Sequence, residues 1–206
     1  MRRSSVLAAV ALLVLFADQT TKYLAVRDLT FLFERAGAQS LPERLALFYG
    51  ERHLEHLRQP PIEIVPGLWR HRYAENTGAA FSLLDGLPPP LRRLFFLLVT
   101  GVAVVFVALL ARRLPPERRA AHAALGALLG GALGNFVDRM THGYVIDFVD
   151  WYVKAVPPLN FPTFNVADVG ITVGAVVLLA HLAREQLKRE RPERPPADPS
   201  GEPHHH

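Results

Sequence analysis

Four apolar blocks govern what this chain can fold into: Val6–Ala17, Leu91–Ala111, Ala120–Val137 and Val169–Ala183. The second and third are long enough to cross, as helices, a hydrocarbon core of about 30 Å. The first and last reach that length once their polar ends, around Asp18 and Asn165, are included. In lipid the backbone must satisfy its own hydrogen bonds, and a helix does so within one segment. Half of the 206 residues are hydrophobic, which would also suit one soluble domain, but their segregation into blocks selects a membrane fold. The expected architecture is membrane all-α: a four-transmembrane-helix bundle with spans at about 4–25, 91–111, 120–138 and 166–184. Residues 1–190 form a single domain in this reading.

Basic residues orient the bundle. Arg2 and Arg3 precede the first block; Arg112, Arg113, Arg118 and Arg119 join the second to the third; Arg184, Lys188, Arg189, Arg191 and Arg194 follow the fourth. With four spans these segments share a side, which the positive-inside rule assigns to the cytoplasm, together with both termini. Arg92 and Arg93 oppose this assignment, but they border a long exported loop, where charges weigh little. The net charge of +4 and the pI near 9.8 therefore read as membrane flanks. No basic patch with interleaved aromatics points to nucleic acid. The chain has no cysteine, which excludes disulfides, thiol chemistry and Cys-containing metal sites. Arg2, Arg3 and the apolar run after them look like a secretory leader. That run ends in Phe-Ala-Asp-Gln-Thr-Thr-Lys rather than a small-x-small site, so a retained anchor is expected.

The loop over residues 27–90 is then extracytoplasmic. Ser40-Leu-Pro-Glu43 has the pattern of a capping box, and Leu45, Phe48, Leu54 and Leu57 are expected on one face of an amphipathic surface helix. Ile62 and Ile64 alternate, Pro66-Gly67 offers a turn, and Trp69, His71 and Tyr73 alternate again, which predicts a small β-hairpin or curved sheet. His53 and His56 among glutamates read as a solvated face, because no complete metal-ligand set accompanies them. In the third span, Gly126-x-x-x-Gly130-x-x-x-Gly134 lets a neighbouring helix backbone come close. The Pro-rich residues 191–206 are expected to be a disordered cytoplasmic tail, with His204–His206 as a tag remnant.

On this topology the polar residues of the apolar segments collect at one end. Asp18 and Lys22 share a helical face, Asn76 precedes the second span, Asn135, Asp138 and Arg139 end the third, Asp147 follows, and Asn165 and Asp168 open the fourth. Each has a plain structural reading. Asp18 and Lys22 suit an i,i+4 ion pair, Asp138 is assigned to a structural pair with Arg139, and Asp168 suits a helix cap. Asp150 and Trp151 read as interface residues, with Trp151 and Tyr152 in an aromatic belt. Asp147 is harder to dismiss. It lies among Val145, Ile146, Phe148 and Val149, where desolvation raises a carboxyl pKa. Beside Asp168 it would share a proton, and such a dyad activates water with one member while protonating a carbonyl oxygen with the other. No metal or other cofactor is required for that chemistry.

Five segments carry a family resemblance: Asp18-Gln-Thr-Thr-Lys22, Asn76-Thr-Gly-Ala-Ala-Phe-Ser82, Gly134-Asn-Phe-Val-Asp-Arg139, Gly143-Tyr-Val-Ile-Asp-Phe-Val-Asp150 and Phe164-Asn-Val-Ala-Asp168. In this order, over roughly residues 6–183, they resemble the bacterial lipoprotein signal peptidases (signal peptidase II). The resemblance implies an aspartic endopeptidase of the bacterial inner membrane that removes signal peptides from diacylglyceryl-modified prolipoproteins, cutting before the lipidated cysteine. It implies Asp147 and Asp168 as the catalytic pair. Asp18, Lys22, Asn76, Gly78, Asn135, Arg139 and Asn165 follow as residues that bind substrate or organise the site. The implied partners are prolipoprotein signal peptides and membrane lipids, with the protein as a monomer and its active site near the outer face. The segment between Glu34 and Pro61 is longer than the family pattern. The alternative is an ion- or proton-coupled transporter, but the inner halves of the last three spans, apart from His122 and His181, offer no polar path. A non-catalytic assembly module would explain the glycines and leave Asp147 idle. A metalloprotease lacks its His-Glu-x-x-His motif.

Overall fold

The computed structural model describes residues 3–77, 88–152 and 161–189. Helices α1 (Arg3–Leu29), α2 (Leu32–Arg35) and α3 (Leu41–Gly50) come first, then a 3₁₀ turn at Leu54–Leu57 and strands β1 (Ile62–Val65) and β2 (Trp69–Asn76). Helices α4 (Pro89–Arg113) and α5 (Arg119–Thr141), strand β3 (Val145–Trp151) and helix α6 (Val166–Arg189) complete the chain. Four of the helices, α1, α4, α5 and α6, are long and apolar enough to cross a membrane. Their outward side chains suit lipid: Leu13, Phe16, Val102, Val105 and Leu179 are all more than half exposed, a face that water would not tolerate over such an area.

Helix α5 is central, and its glycines explain why. A Cβ at Gly126 or Gly130 would strike the α1 backbone at Leu7 or Ala11, and one at Gly131 would strike Ala167 of α6. The glycine row expected to pack therefore does so against α1, and Gly131 extends the same close approach to α6. At the opposite end from the sheet, Arg118 pairs with Glu185 and meets His181 Nε2 at 3.2 Å.

The sheet is three-stranded and antiparallel, in the order β1-β2-β3. The β1–β2 hairpin is the expected one; β3, which contributes Asp147, extends the expected hairpin into a sheet. Within β2–β3 the register places Arg70 opposite Asp150 and Ala74 opposite Asp147, with a shift between His71 and Ala74. Arg72 and Tyr73 together oppose Phe148, a β-bulge that bends the sheet beside Asp147. Asp150 is not an interface residue. It is 3% exposed, with Oδ2 at 2.7 Å from Arg70 Nε and 2.8 Å from Arg72 Nε. Tyr152 likewise lies buried, beneath the Arg70 guanidinium at 4.2 Å, whereas Trp151 is half exposed.

The Ser40–Glu43 capping box forms at α3 as read from sequence. The helix stops at Gly50, however, where Glu51 turns extended and His53 takes φ 58°. Leu54 and Leu57 therefore sit on the separate 3₁₀ turn rather than on the face of α3. Phe48, Leu54 and Leu57 still reach one core, shared with Val26, Leu29 and Phe33 and with Ile146 and Phe148 of β3. The long segment after Glu34 thus folds as the backing of the sheet. The Pro-rich tail falls outside the described residues.

Candidate active site

Strand pleating separates the neighbours of Asp147. Successive side chains on a strand point to opposite faces, so Ile146 and Phe148 anchor β3 in the core while Asp147 turns to the other side. Asp147 is 2% exposed. Its Oδ2 accepts from Asn76 Nδ2 at 2.9 Å, and its Oδ1 accepts from Asn165 Nδ2 at 2.7 Å. Burial pushes the Asp147 carboxyl up to about 7, the nearby Asp168 charge adds to that rise, and the Asn76 and Asn165 hydrogen bonds oppose it.

Asp168 enters from the first turn of α6. Asn165 and Asp168 cap that helix reciprocally: Asp168 N donates to Asn165 Oδ1 at 3.1 Å, and Asn165 N donates to Asp168 Oδ2 at 3.2 Å. The capping role read from sequence is real, and it leaves Asp168 Oδ1 to accept from Asn135 Nδ2 at 2.8 Å. Asn165 Nδ2 also donates to Asn135 Oδ1 at 3.1 Å. Two asparagine amides therefore tie the two carboxylates together.

Lys22 supports this layer from below. Its ammonium is fully buried and meets three acceptors: Asp18 Oδ2 at 2.8 Å, Asp138 Oδ2 at 2.8 Å and Asn135 Oδ1 at 3.0 Å. Three donors and three acceptors leave no unmet hydrogen bond on the cation, the condition for keeping a charge buried. Asp18 Oδ1 accepts from the first-turn amide of Ala167 at 2.9 Å, Asp138 Oδ2 from Ile146 N at 3.0 Å, and Asp138 Oδ1 from Gln19 at 2.9 Å. One ion cluster thus joins α1, α5, α6 and β3. Gly134 makes room for it, since a Cβ there would fall on the Asp18 carboxylate.

Asp138 is structural as expected, but its ionic partner is Lys22 rather than Arg139. Adjacent helical residues diverge by about 100° and do not face each other. Arg139 instead donates to the Asn135 carbonyl at 3.3 Å and stacks on Phe96 at 4.1 Å. Gln19, and Asp138 as a partner of Lys22, belong to this cluster and were missed by sequence reading; only the i,i+4 spacing of Asp18 and Lys22 hinted at it. Gly78 lies outside the described residues. Beside Asp168 opens an apolar recess of about 270 Å³ walled by Trp151, Phe161, Phe164, Val169 and Val173.

Such an arrangement sets a carboxyl raised to about 7 by burial near a second carboxylate and next to an apolar recess, which is acid–base equipment for hydrolysis. Comparison with known proteins agrees. Two solved bacterial membrane enzyme structures superpose with TM-scores of 0.63 and 0.61 at 23% and 24% identity, covering 92% and 88% of this chain and 94% of each of theirs, which establishes the fold. A lipoprotein signal peptidase of Anaeromyxobacter sp. is 45% identical over 86% of this chain and 84% of its own. One from Geobacter metallireducens is 40% identical over 63% of this chain and 77% of its own. The sequence model of signal peptidase (SPase) II matches residues 10–184, and the chain belongs to that family of bacterial membrane aspartic proteases.

Proposed function

We propose that this protein removes signal peptides from diacylglyceryl-modified prolipoproteins, cutting before the lipidated cysteine, with Asp147 and Asp168 as the catalytic pair. The observation that carries the reading is the linked carboxylate pair: Asp147, raised to about 7 by burial, joined to Asp168 through Asn165 and Asn135.

The substrate helix approaches laterally from lipid, past the apolar recess beside Asp168. A water lies between the carboxylates, and Asp168 takes its proton as the oxygen attacks the scissile carbonyl. Asp147 gives its proton to the carbonyl oxygen and takes it back as the tetrahedral adduct collapses. The proton gained by Asp168 then passes to the leaving amine of the lipidated cysteine. Asn76, Asn135 and Asn165 hold the carboxylates in register, Arg139 binds substrate, and Asp18 and Lys22 fix α1 and α6 beneath them. The sheet end of the bundle faces outward and both termini face the cytoplasm, in keeping with the basic segments around Arg112, Arg118 and Arg184. The protein acts as a monomer in contact with membrane lipid and does not bind nucleic acid.

Cleavage of lipidated and unlipidated preprolipoprotein by purified wild type, Asp147→Asn and Asp168→Asn tests the reading. Wild type should cut only the lipidated precursor, and both variants should stay folded and inactive. Turnover retained by either variant would sink the dyad.

A further inference from the structure

Arg92 is the charge that sits awkwardly with the topology, at the sheet end of the bundle among residues facing lipid. It lines a cavity of about 150 Å³ together with Arg52, His53, Arg139 and His142. The elements come from far apart in sequence: the segment after α3, the first turn of α4, and the end of α5. No carboxylate lines the cavity among the described residues. Glu75 is the acid at its edge, 3.5 Å from His53 Nδ1. Arg139 is within electrostatic range of Asp138, Asp168 and Asp147, so its charge is partly balanced. Arg52 and Arg92 form no ion pair among the described residues. With Arg139 they bring three guanidiniums to one cavity, a lining that favours an anion.

Two buried nitrogens also lack partners. Arg139 Nε and His142 Nε2 are closed off from solvent with no hydrogen bond, and His142 as a whole is 2% exposed. The other ring nitrogen, Nδ1, lies 3.3 Å from the Glu51 carbonyl. That carbonyl can only accept, so Nδ1 carries the hydrogen of this contact. The cavity itself offers guanidinium donors for anionic oxygens. Arg92 in the first turn of α4 and Arg139 in the last turn of α5 put it at the end of the membrane spans, at head-group depth.

We propose that this cavity binds the phosphate diester of an anionic phospholipid of the adjoining leaflet. Guanidinium pairs with phosphate oxygens in charge-assisted, often bidentate hydrogen bonds. The acyl chains of such a lipid run beside Phe96 and the exposed apolar face of α4. The site is separate from the chemistry of Asp147 and Asp168, although Arg139 borders both.

Native mass spectrometry of the full chain in detergent, titrated with dioleoyl phosphatidylglycerol and with dioleoylglycerol, tests this directly. Thermal melting with inorganic phosphate, at matched ionic strength, separates the two phosphate sources. Wild type should bind phosphatidylglycerol at least about tenfold more tightly than Arg52→Ala/Arg92→Ala, a loss expected for two charge-assisted contacts. Dioleoylglycerol should not discriminate between them. Arg52→Lys/Arg92→Lys should regain most of the affinity, which separates charge recognition from misfolding. Asp147→Asn should bind lipid as wild type does, so failure of the peptidase reading leaves this result standing. Phosphate protection of wild type but not the alanine variant, without lipid discrimination, would keep the phosphate site and assign it to the free ion. Equal lipid binding by all forms with no phosphate response would overturn the site.

Discussion

Asn165 donates through its side chain to Asp147 at 2.7 Å and through its backbone N–H to Asp168 at 3.2 Å. One residue therefore sets the relative position of two carboxylates that arrive from a strand and a helix. The same amide reaches Asn135, whose side-chain Oδ1 is held by Lys22. The pair is positioned by a network tied to a buried charge.

Asn165→Ala removes the bridge and the cap together. Loss of an N-cap costs about 1 kcal/mol, so the protein should still fold, with a modestly lower melting temperature. Peptidase turnover should fall at least about a hundredfold, in line with the loss of a positioned donor. Because the Asn165 hydrogen bond lowers the Asp147 pKa, its removal should move the basic limb of the residual pH–rate profile upward. A limb that stays in place would separate Asn165 from Asp147.

Asp147 should also mark stability. Its folded pKa is about 7 against a reference of 3.8, so the native state holds an extra proton between roughly pH 4 and pH 7. The protonated form contributes stability that is fully present below the reference value and is lost as pH rises through about 7. The contribution is on the order of 4 kcal/mol at most. Melting of wild type relative to Asp147→Asn should therefore fall across that window and level off above it. Activity that needs the proton on Asp147 should decline above about pH 7. A constant difference in melting between the two proteins would contradict the raised pKa.

The four long apolar helices were legible because length and apolar content alone decide them. The hairpin was legible from alternation around Pro66-Gly67, since its contacts are local. The third strand was not, because its partner Trp69–Asn76 lies about seventy residues away and its own sequence, with one aspartate on each otherwise apolar face, lacks a polar–apolar alternation. Asp150 was misplaced for the same reason: its partners Arg70 and Arg72 become neighbours only through the register. Asp138 was assigned to the wrong cation because adjacency along the chain is not adjacency around a helix. That the polar residues of the candidate site gather at one end of the bundle was readable from their positions, whereas the hydrogen bonds that link them belong to tertiary structure.

The glycines of α5 allow a paired test. A Cβ at Gly134 falls on the Asp18 carboxylate, whereas one at Gly101 of α4 meets nothing within 4 Å. Gly134→Ala should lower stability by about 1–3 kcal/mol through overpacking and reduce turnover by loosening the Lys22 cluster. Gly101→Ala should be neutral or slightly stabilising, as helix propensity favours Ala over Gly. Thermal denaturation in detergent, with prolipoprotein cleavage measured alongside, would distinguish them; equal effects would mean that close packing at Gly134 is not what positions Asp18.

Phe48 tests whether the segment after Glu34 serves catalysis at a distance. Its ring is 1% exposed, packs edge-on against Tyr23 at 5.8 Å and His142 at 5.5 Å, and shares a core with Ile146 and Phe148. Those two residues flank Asp147 and anchor its strand. Phe48→Ala should cost about 3–5 kcal/mol through lost burial and a cavity. Looser packing behind β3 lets Asp147 drift from Asn165, and displacements of about 1 Å are enough to slow chemistry. The loss should therefore appear in kcat below the melting transition, with KM little changed. Leu41→Ala, on the same helix but 59% exposed, should leave both unchanged. A Phe48→Ala protein with lowered melting but wild-type kcat would show that this segment stabilises the sheet without positioning the carboxylate.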